Sequence, residues 1–198
     1  MEAVIKEMPK RWLEERRNSE ASRWDEMWVG VLHMAPMPNR VHQRFVRDLQ
    51  ELLQRRWGEP TGGQVDQEVN LTPIDGPGWV EDYRIPDLVM TTPDRAHFDK
   101  IEYMAGPPLV CIEVQSDRDE SYTKLPFYAN LGVPEVWIID RDSKRPEVYV
   151  LAGPRYNAVE ADSAGWVRSR AVGLAMRHEN GKLFVLFDDD ASPTAVPK

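Results

Sequence analysis

Two acids stand where acids are costly. Glu113 interrupts the apolar run "LVCIEVQ" at residues 109–115, and Asp87 directly precedes "LVM" at 88–90. A carboxylate in such a strand costs several kcal/mol to bury unless it is paired or binds a cation. Period-two geometry puts Leu109, Cys111, Glu113 and Gln115 on one face of their strand, with Val110, Ile112 and Val114 on the other. Two carboxylates side by side at strand ends can hold Mg²⁺ or Mn²⁺, because such hard ions take few carboxylates and complete their shell with water and phosphate oxygens. A plainer arrangement fits the same residues: strand-end acids in solvent, or paired with an arginine such as Arg84.

The elements that must carry these acids follow from periodicity and punctuation. A charged helix is expected over 10–20, anchored by Trp12 and Leu13, and a bent strand or short hairpin over 25–38 with Gly30 at the bend. Asn39 stands at an N-cap position. Val41, Phe45, Val46, Leu49, Leu52 and Leu53 then recur at helical spacing until Gly58. His42 shares the azimuth of Leu49 and Leu53 and so faces inward, as a core histidine or a working one. Strands are expected at 64–71 and 83–90, the second weakened by Pro86, with an excursion over 91–108. The near-continuous apolar strand at 109–115 should be central. A helix follows in "SDRDESYTKLPFYANLG", with Pro126 as a defect or restart, and Lys124 and Tyr128 fall one turn apart on it, Tyr128 read as packing. "PEVWIID" and "PEVYVL" form an antiparallel pair, and "LAMRHENGKLFVLF" a hairpin turning at Asn180 and Gly181.

This pattern gives an α/β class, a mixed central sheet flanked by helices with further antiparallel strands at both ends. The expected organisation is one domain over 1–187, with an N-terminal helical arm at 1–24 and a disordered polar tail at 188–198. With 41% hydrophobic and 29% charged residues among 198, the chain can bury a core. No apolar run approaches the ~20 residues of a membrane span, and the first residues lack a secretory pattern, so a cytoplasmic location is expected. The single cysteine, Cys111, excludes an internal disulfide and a cysteine-rich zinc site. A net charge of −8 argues against a generally basic nucleic-acid coat. The balance is uneven, however: residues 1–56 carry 11 lysines and arginines against 9 acids.

Asp87 after Pro86, "IEVQS" at 112–116 and "KLPFYANLGVPEVWIID" at 124–140 together resemble the Uma-two family of restriction-endonuclease-like proteins, within the PD-(D/E)XK nuclease group. The likeness extends back to "DEMWVGVLHM" and His42, covering roughly residues 10–187. It implies a metal-dependent endonuclease that hydrolyses DNA, with Asp87 and Glu113 as ligands of Mg²⁺ or Mn²⁺, and a homodimer with one site per strand. Glu26 matches the family's early acid and Lys124 its helix lysine. Gln115 stands where the nuclease pattern most often has lysine; it can orient water but supplies no positive charge. Lys124 is the natural substitute. The basic helix with Arg40, Arg44, Arg47, Arg55 and Arg56 could meet phosphates, or be a solvated face. A rival reading is a nuclease fold without chemistry, acting as a nucleic-acid or protein binding module. A third is a metal-free acid/base hydrolase using Glu113 and His42.

Overall fold

A computed structural model describes residues 3–5, 9–19, 22–35, 37–116 and 120–197. The chain opens with β1 (Ala3–Ile5) and α1 (Lys10–Arg17), then a hairpin of β2 (Asp25–Trp28) and β3 (Val31–Met34). Val29 and Gly30 both have positive φ, the geometry of a tight two-residue hairpin loop. The backbone N–H of Gly30 binds the Glu81 carbonyl and pins that loop to the body. These strands form a small antiparallel sheet in the order β1-β3-β2. The first helix is shorter than expected, and Glu20 lies outside the described residues. Trp12, expected as an anchor, is exposed; the anchor is instead the Arg16 guanidinium on buried Asp25, 2.5 Å away.

The helix α2 (Arg40–Leu53) begins where Asn39 predicts, its side chain accepting from the backbone N–H groups of Val41 and His42. Phe45, Val46, Leu49, Leu52 and Leu53 are buried along one stripe, while Val41 lies outside it, exposed. The helical path does not stop at Gly58. It runs through a wide π-type turn and α3 (Glu59–Thr61), and the left-handed residue that ends it is Gly62, φ +71°. Gly58 has another task. A Cβ there would lie 2.6 Å from the Gln54 side chain, whose Oε1 accepts the Val65 N–H across this gap.

The main sheet contains β4 (Gln64–Gln67), β6 (Leu88–Thr91), β8 (Val110–Gln115), β9 (Glu135–Asp140), β10 (Pro146–Ala152) and β11 (Arg155–Ala158), while β5 (Leu71–Thr72) and β7 (Met104–Ala105) pair separately. Its order is β11-β10-β9-β8-β6-β4, with β8 and β9 parallel and the other pairs antiparallel, so the sheet is mixed and the Glu113 strand is internal. Two expected strands are cut short. The strand at 64–71 breaks at Glu68, φ +53°, and that at 83–90 joins the ladder only from Leu88, because Pro86 brings no N–H. Tyr83 and Arg84 make isolated bridges to Met27 and Leu71 instead. Before α4 (Leu125–Leu131), residues Ser121–Lys124 form a 3₁₀ turn, and Pro126 falls in the first turn of α4, where its missing N–H costs nothing.

The last strands, β12 (Val167–Ser169), β13 (Leu174–Glu179), β14 (Lys182–Phe187) and β15 (Thr194–Val196), make an antiparallel sheet, and the Asn180–Gly181 turn is where sequence puts it. The expectation of a disordered tail from residue 188 fails here. The open edge of β14 is a template for another strand, and β15 takes it, burying Val196 to 2% exposure. Arg56 also reaches Asp189 and Asp190.

Two apolar layers sandwich the main sheet. On one side Phe45, Leu49 and Leu53 of α2 meet Ile112, Trp137 and residues of the last sheet. On the other, Val89, Cys111 and Val136 meet Tyr128 of α4. Glu113 follows Cys111 onto this second side, toward α4. Among the described residues no helix is long and apolar enough to cross a membrane.

Candidate active site

The register that pairs Leu88 with Ile112 puts Asp87 opposite Glu113. The two costly acids are thus neighbours across β6 and β8. Asp87 is fixed from both sides: Oδ2 accepts the Val114 N–H at 2.6 Å, and Oδ1 lies 2.7 Å from Nε2 of His42. The inward azimuth of the first turn of α2 therefore ends on a carboxylate.

Glu113 is 4% exposed. Its Oε1 accepts the Tyr128 hydroxyl at 2.5 Å and lies 3.1 Å from the Lys124 ammonium. Lys124 also meets Glu26 Oε1 at 2.7 Å. Glu26 is held in turn by the Ile85 N–H on the same oxygen and by the Trp28 indole N–H on the other. One ammonium thus faces Glu26 and Glu113 directly, with Asp87 beside them. Burial pushes the Glu113 carboxyl up to about 8; Lys124 opposes this, and the nearby charges of Asp87 and Glu26 reinforce it. Burial would lower the pKa of Lys124, but Glu113 and Glu26 outweigh it and hold the lysine charged, above its usual range. Burial and Glu113 likewise raise the Tyr128 hydroxyl well above normal, so it remains a donor.

Five of the six residues singled out in the sequence come together here, and Gln115 does not line the same cavity. Asp87, Glu113, Lys124, Glu26 and His42 line one cavity of about 360 Å³. Gln115 is half-buried; its side chain makes no hydrogen bond among the described residues, and its backbone carbonyl accepts from Arg141 N–H. Arg84, the alternative partner for Asp87, is elsewhere: it bonds Asp82 and lies between the rings of Trp28 and Phe127. Tyr128 does more than pack, since it bonds Glu113. Sequence reasoning missed His33 and Glu120, which also line the cavity. Nδ1 of His33 is 2.6 Å from Glu120, and its ring stacks on Trp28 at 4.0 Å. The alternation of β3 against β2, which pairs His33 with Glu26, is the signal that could have found it.

Among the described residues no group of three or more histidine, cysteine or carboxylate side chains is arranged to hold a metal ion. A protein cage is therefore not what these residues offer. The donor set does suit a hard divalent cation held by two carboxylates and completed by water or phosphate oxygens, since Glu26 and Glu113 share one ammonium, Asp87 stands beside them, and burial disfavours the charge on Glu113.

Residues 13–177 match the family model Uma2, described as "Putative restriction endonuclease". The chain belongs to the Uma2 family. This stretch runs from α1 into β13 and includes every residue of the acid cluster. No curated protein matches the chain. A solved structure described as "a putative nuclease belonging to DUF820 from Anabaena variabilis ATCC 29413" is similar to it with a TM-score of 0.60 at 18% identity, covering 80% of this chain and 88% of that one. At that identity the likeness of this Uma2 protein to it is one of fold.

Proposed function

We propose that this Uma2 protein is an endonuclease that hydrolyses DNA phosphodiester bonds with Mg²⁺ or Mn²⁺ held by Asp87 and Glu113. The observation that carries the reading is the shortage of positive charge around Glu113, a buried acid in a cleft where one lysine serves two carboxylates. Bound there, a divalent ion supplies Lewis acidity to a phosphate oxygen and lowers the pKa of water. The protein groups do the rest. His42 and the Val114 N–H fix the two Asp87 oxygens, so that carboxylate needs no reorganisation when charge develops. Tyr128 does the same for Glu113. Lys124, steadied by Glu26, brings positive charge toward the phosphate, the task for which Gln115 has no charge. Gln115 orients the attacking water. In the reaction the water oxygen bonds to phosphorus, one P–O ester bond breaks, and the water proton ends on the departing oxygen.

The reading entails a homodimer, one site for each strand, and a cytoplasmic place of work beside DNA. The inactive-scaffold reading draws on the same geometry, because Lys124 already sits between two acids and Gln115 replaces the usual lysine. Thermal melts in EDTA, Mg²⁺ and Mn²⁺ separate the two. A site that binds metal only when folded gains about 2.7 kcal/mol at 100 times its Kd, some 5–11 °C for a chain of this size. A melting temperature indifferent to both metals favours the scaffold.

A further inference from the structure

The basic face of α2 divides once the structure is considered. Arg56 is taken by Asp189 and Asp190 and lies over Phe187, and Arg55 faces Glu51 at the far end. Arg47 pairs with its neighbour Asp48, and Arg23 with Glu68. Arg40 and Arg44 are exposed and make no ion pair among the described residues. Both line a second groove, of about 430 Å³, whose walls include His42 and Asp87. Those two residues also line the acid cavity, so the groove adjoins it.

This arrangement works against the helix that carries it. Arginines four apart lie on one face, and like charges at that spacing repel. Arg40 also occupies the first turn, where the helix dipole is positive and cations are disfavoured; no acid is present in that turn to offset it. The chain has 33 acids and 25 lysines and arginines, yet four arginines and only two carboxylates line this groove. A solvated helix face does not require two uncompensated guanidinium groups at the mouth of an acidic site. A polyanion does, because it must be drawn toward carboxylates that repel it.

We propose that Arg40 and Arg44 form a phosphate-contacting rim that seats the backbone of duplex DNA in this groove and leads it to Asp87. The inference rests on the hydrolytic reading above, naming the surface that brings substrate to that site. The two Cα positions are separated by about 6 Å along the helix axis, and each guanidinium fork can take phosphate oxygens in pairs. Contacts of this kind position the duplex without reading its sequence.

The test measures binding of a fluorescent duplex by anisotropy, in EDTA, over a series of salt concentrations. Each phosphate contact contributes about 0.9 to the slope of log K against log salt, or roughly 8-fold in affinity near 0.1 M salt. The double variant Arg40→Gln/Arg44→Gln should therefore lose about 1.8 of slope and roughly 60-fold in affinity, equally on unrelated sequences. Arg40→Lys/Arg44→Lys should keep the slope, and Arg55→Gln, on the same helix but paired, should bind as the unaltered protein does. An unchanged slope in the glutamine double variant, or no binding by the unaltered protein, overturns the proposal. The two readings fail separately. Arginine-dependent binding without cleavage in any metal refutes hydrolysis and leaves the rim, whereas cleavage with an unchanged slope refutes the rim alone.

Discussion

Replacing Glu113 by glutamine should change how stability depends on pH. The Glu113 carboxyl has an ordinary pKa of 4.5 and is pushed up to about 8 by burial, against Lys124 and with Asp87 and Glu26. Its folded-state pKa is raised, so between these values the native protein holds a proton that the unfolded chain has lost. Stability then falls as pH rises from about 4.5 to about 8 and levels off beyond. At about 1.4 kcal/mol per unit, the cost approaches roughly 4 kcal/mol by pH 8. Glu113→Gln keeps the size and an acceptor for Tyr128 but cannot ionise. In EDTA the variant should thus gain on the unaltered protein by about 3–4 kcal/mol between pH 5 and pH 8, whatever their difference at pH 5. That corresponds to a relative shift of about 6–16 °C in Tm. Melts at half-unit pH intervals measure it, with chelator throughout. Parallel curves for the two proteins would refute the reasoning, because they would mean that Glu113 is adequately compensated in the metal-free fold.

Lys124→Met leaves the buried Glu26 without its cation, while Glu113 is largely protonated, and should cost about 3–5 kcal/mol in EDTA near neutral pH. Mn²⁺ should restore part of it, and turnover should fall by 10² or more even when metal is saturating; melts and rate assays on the same preparation check both. Ending the chain after Phe187 removes β15 and the buried Val196, a side chain worth about 1.5–3 kcal/mol. The truncated protein should melt at least about 3 °C lower, and an unchanged Tm would show that the strand contributes nothing.

Much of the site was readable because one strand breaks its own pattern. Six residues of β8 contain a single acid, and alternation alone assigns it to the side opposite Ile112. Asn39 and the azimuth of His42 were equally plain, since capping and helical period act within a few residues. What failed was nonlocal. Glu26 enters the sequence reading only through the family resemblance, and nothing local foretells that it and Asp25 are both buried, pointing to opposite faces of β2 toward Lys124 and Arg16. Nothing near Arg84 in the chain foretells two aromatic faces brought from Trp28 and Phe127. The tail is poor in apolar residues, and its order comes from the unpaired edge of β14, a partner that no local property of 188–198 reveals. Composition and spacing do not distinguish Lys124 from a solvated helix lysine, and only the family resemblance makes it a site residue.

The most direct measurement of the central claim is cleavage of supercoiled plasmid by the purified protein in Mn²⁺, Mg²⁺ or EDTA, beside Asp87→Asn at equal concentration. The amide keeps the size and one hydrogen-bond acceptor of Asp87 but loses the charge that holds a hard cation. Nicked and linear DNA should form with metal and the unaltered protein only, while the variant remains folded by its melting curve. Equal cleavage in chelator, equal cleavage by Asp87→Asn, or no cleavage with either metal would contradict the account.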